Sequence, residues 1–184
     1  ITHADYDHYG NLLQLLKIIE IKKIITSNYS KRNQQFMNIL KLFQNKGTLV
    51  EFMFAGNEIK ITSKKETANL KILSPDREDE ISTSNESSII LRILTGQYSI
   101  MLTGDAPRKV LSRVERKFGS AVFFNSVFKV PHHAIGEIFE ERSLINAVSS
   151  EKCTSYSEFN TACCGNFSIN FFNTHLEVQS EDNK

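Results

Sequence analysis

The chain has little with which to staple, anchor or strongly charge itself. Its three cysteines, Cys153, Cys163 and Cys164, all fall in the C-terminal tail, and two of them are adjacent. An odd number in that arrangement builds no disulfide framework, and without a Cys-x-x-Cys pair there is no thiolate zinc site, so they read as free thiols. Lys and Arg number 22 against 21 for Asp and Glu, a net charge of +1. Such a balance gives none of the one-sign field that marks a surface for nucleic acid or acidic lipid. A nucleic-acid partner is therefore allowed by the charge without being indicated by it. No apolar run approaches the roughly 18 residues that a membrane-crossing helix needs, so the sequence carries no membrane segment. The His-Glu-x-x-His helix of zinc proteases is absent too, as are internal repeats and a clear linker. What remains, 184 residues that are 40% hydrophobic and 23% charged, suffices for one core and falls short of two. Residues 1–184 are expected to form one domain, with a polar, disordered end at 180–184.

What the chain does have is a concentration of metal-ligand chemistry at its start. Residues 2 to 8 read Thr-His-Ala-Asp-Tyr-Asp-His and place His3, Asp5, Asp7 and His8 within six residues. Imidazole nitrogens and carboxylate oxygens suit a borderline divalent ion such as zinc or manganese, and this spacing can wrap a loop around one or two of them. The bland alternative is an Asp-rich polar turn that happens to hold two histidines. Two later segments weigh against it. Ser99-Ile-Met-Leu-Thr-Gly-Asp105 is an apolar strand pattern that ends on a carboxylate, and Val127-Phe-Lys-Val-Pro-His-His133 is another that ends on paired imidazoles behind a stiff proline. Four of the five histidines thus fall at expected strand ends.

Periodicity predicts alternating helices and strands. Asn11 to Lys23 reads as a helix and Ile24 to Thr26 as a short strand. Residues 31–45 form an amphipathic helix with Phe36, Ile39, Leu40 and Phe43 inward and Gly47 closing it. Thr48 to Phe54, Glu58 to Thr62 and Asn69 to Leu73 read as strands, with Gly56-Asn57 as a hairpin turn. Asp76 to Glu86 is an Asp-, Glu- and Ser-rich segment, either a loop over the site or a solvated linker. Ser88 to Leu94 and Tyr98 to Thr103 are strands, Arg108 to Phe118 a helix opened by Pro107, and Phe123 to Val130 a strand. Ile138 to Ala147 reads as helical and then extended, and Phe167 to Phe172 with His175 to Val178 as a closing hairpin. His175 reads as an ordinary strand residue. Composition and periodicity support a mixed α+β domain.

Taken in order, Thr-His-x-Asp-x-Asp-His, Leu-Thr-Gly-Asp and Lys-Val-Pro-His-His resemble the metallo-β-lactamase superfamily, nearest to its ComEC-type competence domains. Those domains also carry aspartate where the superfamily has its second histidine, as Asp5 does here, and phosphorylcholine esterases are similar in this respect. The resemblance extends to Leu73-Ser74-Pro75 and Asn85-Glu86-Ser87-Ser88 and spans roughly residues 1–150. It implies an α/β/β/α sandwich, with the strands that would precede His3 missing from this sequence. It also implies His3 and Asp5 as ligands of a first metal position, Asp7 and His8 of a second, and Asp105 as the bridging carboxylate. One of His132 and His133 would complete the second position, with His132 weakly preferred. The pattern departs from the superfamily in three places: no histidine lies between His8 and Asp105, His-His-Gly-Ser becomes His132-His133-Ala134-Ile135, and Gly-Gly becomes Gly10-Asn11.

The function so implied is metal-dependent hydrolysis by a metal-activated water, with one or two zinc or manganese ions and with Asp7 and Asp105 as catalytic carboxylates. The bond would be a phosphodiester, in a small molecule or in nucleic acid. The rivals are an inactive metallo-β-lactamase-like fragment or binding module, and an ester or lactam hydrolase.

Overall fold

The computed structural model describes residues 1–64, 66–134, 145–148, 159–160, 167–171 and 176–180. The first unit is a pair of parallel strands, β1 (Lys23–Ser27) and β2 (Leu49–Met53), in register from Lys23 opposite Leu49 to Ser27 opposite Met53. Parallel neighbours need a crossover, supplied here by helix α3 (Gln34–Asn45). Asn33 starts that helix because its side-chain oxygen accepts the Phe36 amide at 3.0 Å. The helix ends as the chain turns through Gly47, at φ +89°, and the Thr48 amide returns to the Phe43 carbonyl. Between these ends Phe36, Ile39, Leu40 and Phe43 recur at helical spacing and are all buried. They pack with Ala4, Tyr9, Leu12 and Ile24 into one core, Tyr9 coming from the single-turn helix α1 (Tyr6–Tyr9) and Leu12 from α2 (Leu12–Ile18).

The larger sheet has seven strands in sequence order: β3 (Glu58–Thr62), β4 (Thr67–Ser74), β5 (Ile90–Thr95), β6 (Tyr98–Leu102), β7 (Val127–Lys129), β8 (Ile145–Val148) and β9 (Phe159–Asn160). Pairing is antiparallel from β3 through β6 and parallel from β6 onward. The switch at β6 requires a crossover, and α4 (Arg108–Phe118) provides it. Its inward residues Val110, Leu111 and Val114 cover Leu73, Ile90, Met101 and Phe128, forming the second core. A separate antiparallel hairpin joins β10 (Phe167–Phe171) to β11 (Leu176–Ser180). The protein is thus a mixed α+β structure, and among the described residues no helix is long and apolar enough to cross a membrane.

Residues 1–5 stitch the two units together. The Ile1 nitrogen donates to the Ile25 carbonyl of β1 at 2.9 Å, and the Ile89 amide, just ahead of β5, donates to the Thr2 carbonyl at 2.9 Å. Ala4 belongs to the first core and Ala106 to the second. Gly104 makes the approach possible: at φ +57° it sits so close to the seam that a β-carbon would lie 2.8 Å from Thr2 Cβ and 3.1 Å from Ser88 Cβ.

Several sequence expectations need correction. The first motif is not a loop throughout, because Asp7 and His8 lie in α1. The helix expected to reach Lys23 stops at Ile18, where the alternation of Ile19 and Ile21 and the β-branched side chains favour extended backbone. Gly56-Asn57 is a turn, with the Asn57 amide on the Phe54 carbonyl, but it is no hairpin. It carries the chain from β2, paired to β1, into β3, paired to β4; a local turn signal does not reveal which partner a strand will choose. The strand expected over Phe123 to Val130 is shortened by a 3-10 turn at Ser120–Phe123. The segment 76–86 is no free linker: Asp76 pairs with Lys117, Asp79 with Arg113 at 3.1 Å and Glu86 with Lys109 at 2.7 Å. The helical part expected from Ile138, the three cysteines, His175 and residues 181–184 lie outside the described residues, whereas Ser180, expected in the disordered end, closes β11.

The Gly104 contact yields a matched test. Gly96 has nearly the same backbone, at φ +54°, but open space where its β-carbon would go. Gly96→Ala should cost about 1–2 kcal/mol, the penalty of left-handed backbone alone. Gly104→Ala should cost about 1–3 kcal/mol more, because Thr2 and Ser88 must move. Urea unfolding of both variants measures the difference, and equal losses would contradict the close approach.

Candidate metal centre

Three structural elements bring ligands to one point. Asp7 and His8 come from α1, Asp105 from the turn between β6 and α4, and His133 from the 3-10 turn His132–Ala134 after β7. One donor atom from each of these four residues lies within 4.8 Å of the others. His8 Nε2 is 3.4 Å from Asp7 Oδ2 and 3.3 Å from Asp105 Oδ2, and His133 Nε2 is 3.5 Å and 3.6 Å from the same two oxygens. Bonds of about 2.0–2.1 Å from a tetrahedral zinc to nitrogen and oxygen put neighbouring donors roughly 3.3–3.4 Å apart. The four separations therefore suit a small divalent ion. A second observation fits such an ion: His8 Nε2 and Asp105 Oδ1 are buried and make no hydrogen bond among the described residues, although buried polar atoms normally find partners.

The backbone supports this placement. Asp105 is almost fully buried and its amide donates to Ser88 Oγ at 3.2 Å. His132 and His133 both adopt left-handed backbone, at φ +49° and +52°. Two consecutive non-glycine residues in that region are strained. The bend is held by the His132 amide, which donates to the Gly104 carbonyl at 3.2 Å.

Of the seven residues singled out by sequence, four meet in the cluster and three do not. His3 is completely buried beside it, its ring centroid 4.1 Å from that of His8, and its Nε2 faces Asp5 Oδ2 at 3.3 Å. Asp5 is turned to His3. The weak preference for His132 over its neighbour does not match the geometry: His132 Nε2 lies 3.4 Å from Asn85 Nδ2, and His133 is the one at the cluster. Because both residues are left-handed, the paired histidines diverge, and residue order alone does not say which one turns inward.

Thr2, Ser88 and Lys129 were not assigned roles from the sequence. The Thr2 hydroxyl lies 3.0 Å from His3 Nδ1 and 3.2 Å from His8 Nδ1. It thereby orients the His8 ring with Nε2 toward the cluster, the usual task of a group behind a metal-bound histidine, and the His3 ring with Nε2 toward Asp5. Ser88 Oγ sits 3.4 Å from His3 Nδ1 as well as on the Asp105 amide. Lys129 Nζ donates to the carbonyls of Gly104 and Val130, both at 3.2 Å. The position of Thr2 directly before His3 was a usable signal; Ser88 is 85 residues from His3 and gave none.

Electrostatics follow from this packing. Burial lowers the His3 pKa, and the adjacent His8 lowers it further. The Asp105 carboxylate raises that of His8 against the effect of burial. Burial alone would raise Asp105, but the close His8 ring and the charges of His8, Lys129 and His133 outweigh it and hold the carboxyl down at about 2. Asp105 is thus ionised throughout the neutral range, as a cation ligand must be.

The fold and cluster together define an α+β protein with a candidate divalent-cation centre at the junction of its two cores. No family model matches the chain. It is similar to ComE operon protein 3 of Bacillus subtilis (strain 168), with 29% identity over 133 residues. The match takes in 72% of this chain and 16% of the relative, so the chain spans a small part of that protein's length.

Metal titration of single variants tests the ligand set. His133→Ala and Asp105→Ala should weaken zinc binding by more than about tenfold, beyond the effect of losing a supporting group, whereas His132→Ala should bind almost as the parent does. Calorimetry distinguishes them, and equal losses at His132 and His133 would contradict the assignment.

Proposed function

We propose that the protein is a metal-dependent hydrolase acting on phosphodiester bonds. The observation that carries this reading is the convergence of Asp7, His8, Asp105 and His133 within 4.8 Å, with a buried Asp105 oxygen and a buried His8 nitrogen left unbonded. Supporting it are the ordered motifs that resemble the metallo-β-lactamase superfamily, from which the α/β/β/α arrangement is also inferred. The name of the similar Bacillus subtilis protein refers to the ComE operon, which agrees with the ComEC-type resemblance.

A divalent ion held by these four residues would acidify water and polarise the bond to be cut. The chain's own contribution is placement. Asp105, ionised and fixed by the Ser88 hydroxyl on its amide, presents a stationary carboxylate. Asp7, about 60% exposed, is the member of the cluster open to an incoming substrate. Thr2 fixes the His8 ring, so little reorganisation is needed when charge develops. With His3 and Asp5 paired outside the cluster, one ion rather than two is proposed.

That same His3–Asp5 pairing favours a second reading, an ion-holding binding module without turnover. Hydrolysis of bis-para-nitrophenyl phosphate in added zinc or manganese separates the two. The proposed enzyme turns it over, and Asp7→Ala or His8→Ala lowers the rate by more than about a hundredfold while leaving the circular dichroism spectrum intact. A bound ion with no turnover of phosphodiester, ester or lactam substrates would instead support the binding module.

A further inference from the structure

A cavity of about 470 Å³ opens beside the cluster, and its lining includes Asp5, Tyr29, Arg32, Asn33, Thr83 and Ser84. Its size is that of a small-ligand site. It reaches the flank of the metal centre through Asp5, whose carboxylate meets His3 at 3.3 Å, and the His3 ring centroid lies 4.1 Å from that of His8.

The walls are tied in place by bonds that span the chain. Tyr29 donates its hydroxyl to the Asp79 carbonyl at 2.7 Å, and Arg32 donates from Nη1 to the Ile81 carbonyl at 3.0 Å. The Arg32 guanidinium also lies over the Tyr29 ring, 5.3 Å from its centroid. Asn33 caps α3 with its oxygen and donates from Nδ2 to the Ala4 carbonyl at 2.8 Å, which fixes the wall nearest Asp5. Glu86 holds the opposite wall by accepting from the Ser82 amide at 3.3 Å and the Thr83 hydroxyl at 3.2 Å. A cavity fixed from two sides costs a ligand little ordering. Its chemistry is a cation at the rim above a lining of hydroxyls and amides, with one carboxylate, Asp5, whose Oδ2 faces His3 at 3.3 Å. Stacked on Tyr29 with one nitrogen engaged, the guanidinium keeps Nη2 and Nε for a planar, bidentate anion contact.

We propose that this cavity is the specificity subsite of the enzyme and that Arg32 in it binds a second phosphate, one unit away from the bond cut at the metal centre. The occupant is then a hydroxyl- or amide-bearing phosphate unit of a polyanionic chain, such as a nucleotide, and not a quaternary-ammonium headgroup. A choline group would bring its positive charge toward Arg32 and would find one aromatic ring instead of a cage. The inference rests on the phosphodiesterase reading above for its role, but not for its binding.

Calorimetric binding of thymidine 5′-monophosphate and of phosphocholine tests the site without turnover, on the parent chain, on Arg32→Ala and on Ser82→Trp. Arg32 and Ser82 are both exposed, and the Tyr29, Asn33 and Glu86–Thr83 bonds that hold the walls remain in both variants. The expected result is nucleotide binding weakened at least tenfold by either variant and phosphocholine binding weaker than nucleotide. Absent nucleotide binding, equal nucleotide binding by parent and Arg32→Ala, or tighter phosphocholine binding overturns the proposal. Turnover of bis-para-nitrophenyl phosphate by the parent chain is measured alongside. Its absence from the parent would sink the hydrolase reading alone and leave the binding result to judge the cavity.

Discussion

Thr2 lies against Gly104 at a separation with no room for a β-carbon, and the candidate centre is built on that contact. The segment carrying Thr2 is held to β1 on one side and to the start of β5 on the other. Its hydroxyl turns the His3 and His8 rings, while the Gly104 carbonyl accepts the amide of His132 and the ammonium of Lys129. One close approach of two backbones thereby aligns ligands separated by more than a hundred residues of sequence. Neither core alone would do this, since α1 belongs to the first and the turn after β6 to the second.

Electrostatics reinforce the same point. Burying carboxylates is costly unless cations or hydrogen bonds compensate. Asp105 is nearly buried, and the groups that keep it ionised are His8, His133 and Lys129, two of them fellow members of the cluster. Among the described residues no group hydrogen-bonds Asp105 Oδ1 to complete the arrangement. A divalent cation would complete it.

Much of the layout was legible from residue pattern. β3 and α4 match their expected bounds, and the buried face of α3 is the one its spacing predicts. Periodicity succeeds there because each element has one apolar face and a clear stop, such as Gly47 or the Pro107 start. It fails where the outcome depends on distant partners. Gly56-Asn57 is a turn in either topology, yet only the parallel pairing of β1 with β2 decides that it joins two sheets. The site was legible as a set of residue types, Asp7, His8, Asp105 and one of two histidines. Which histidine faces inward depends on two left-handed residues, and the separation of His3 and Asp5 from the cluster depends on burial. Neither is written in spacing.

The proposed function stands on one ion held among two imidazoles and two carboxylates, with no thiolate. X-ray absorption at the zinc edge of the metal-loaded protein tests it most directly. The expected result is one zinc per chain, ligated by nitrogen and oxygen at about 2.0–2.1 Å, two imidazole rings among them. Sulfur at about 2.3 Å, which would place the ion on the C-terminal cysteines, or no bound zinc at all, would contradict it.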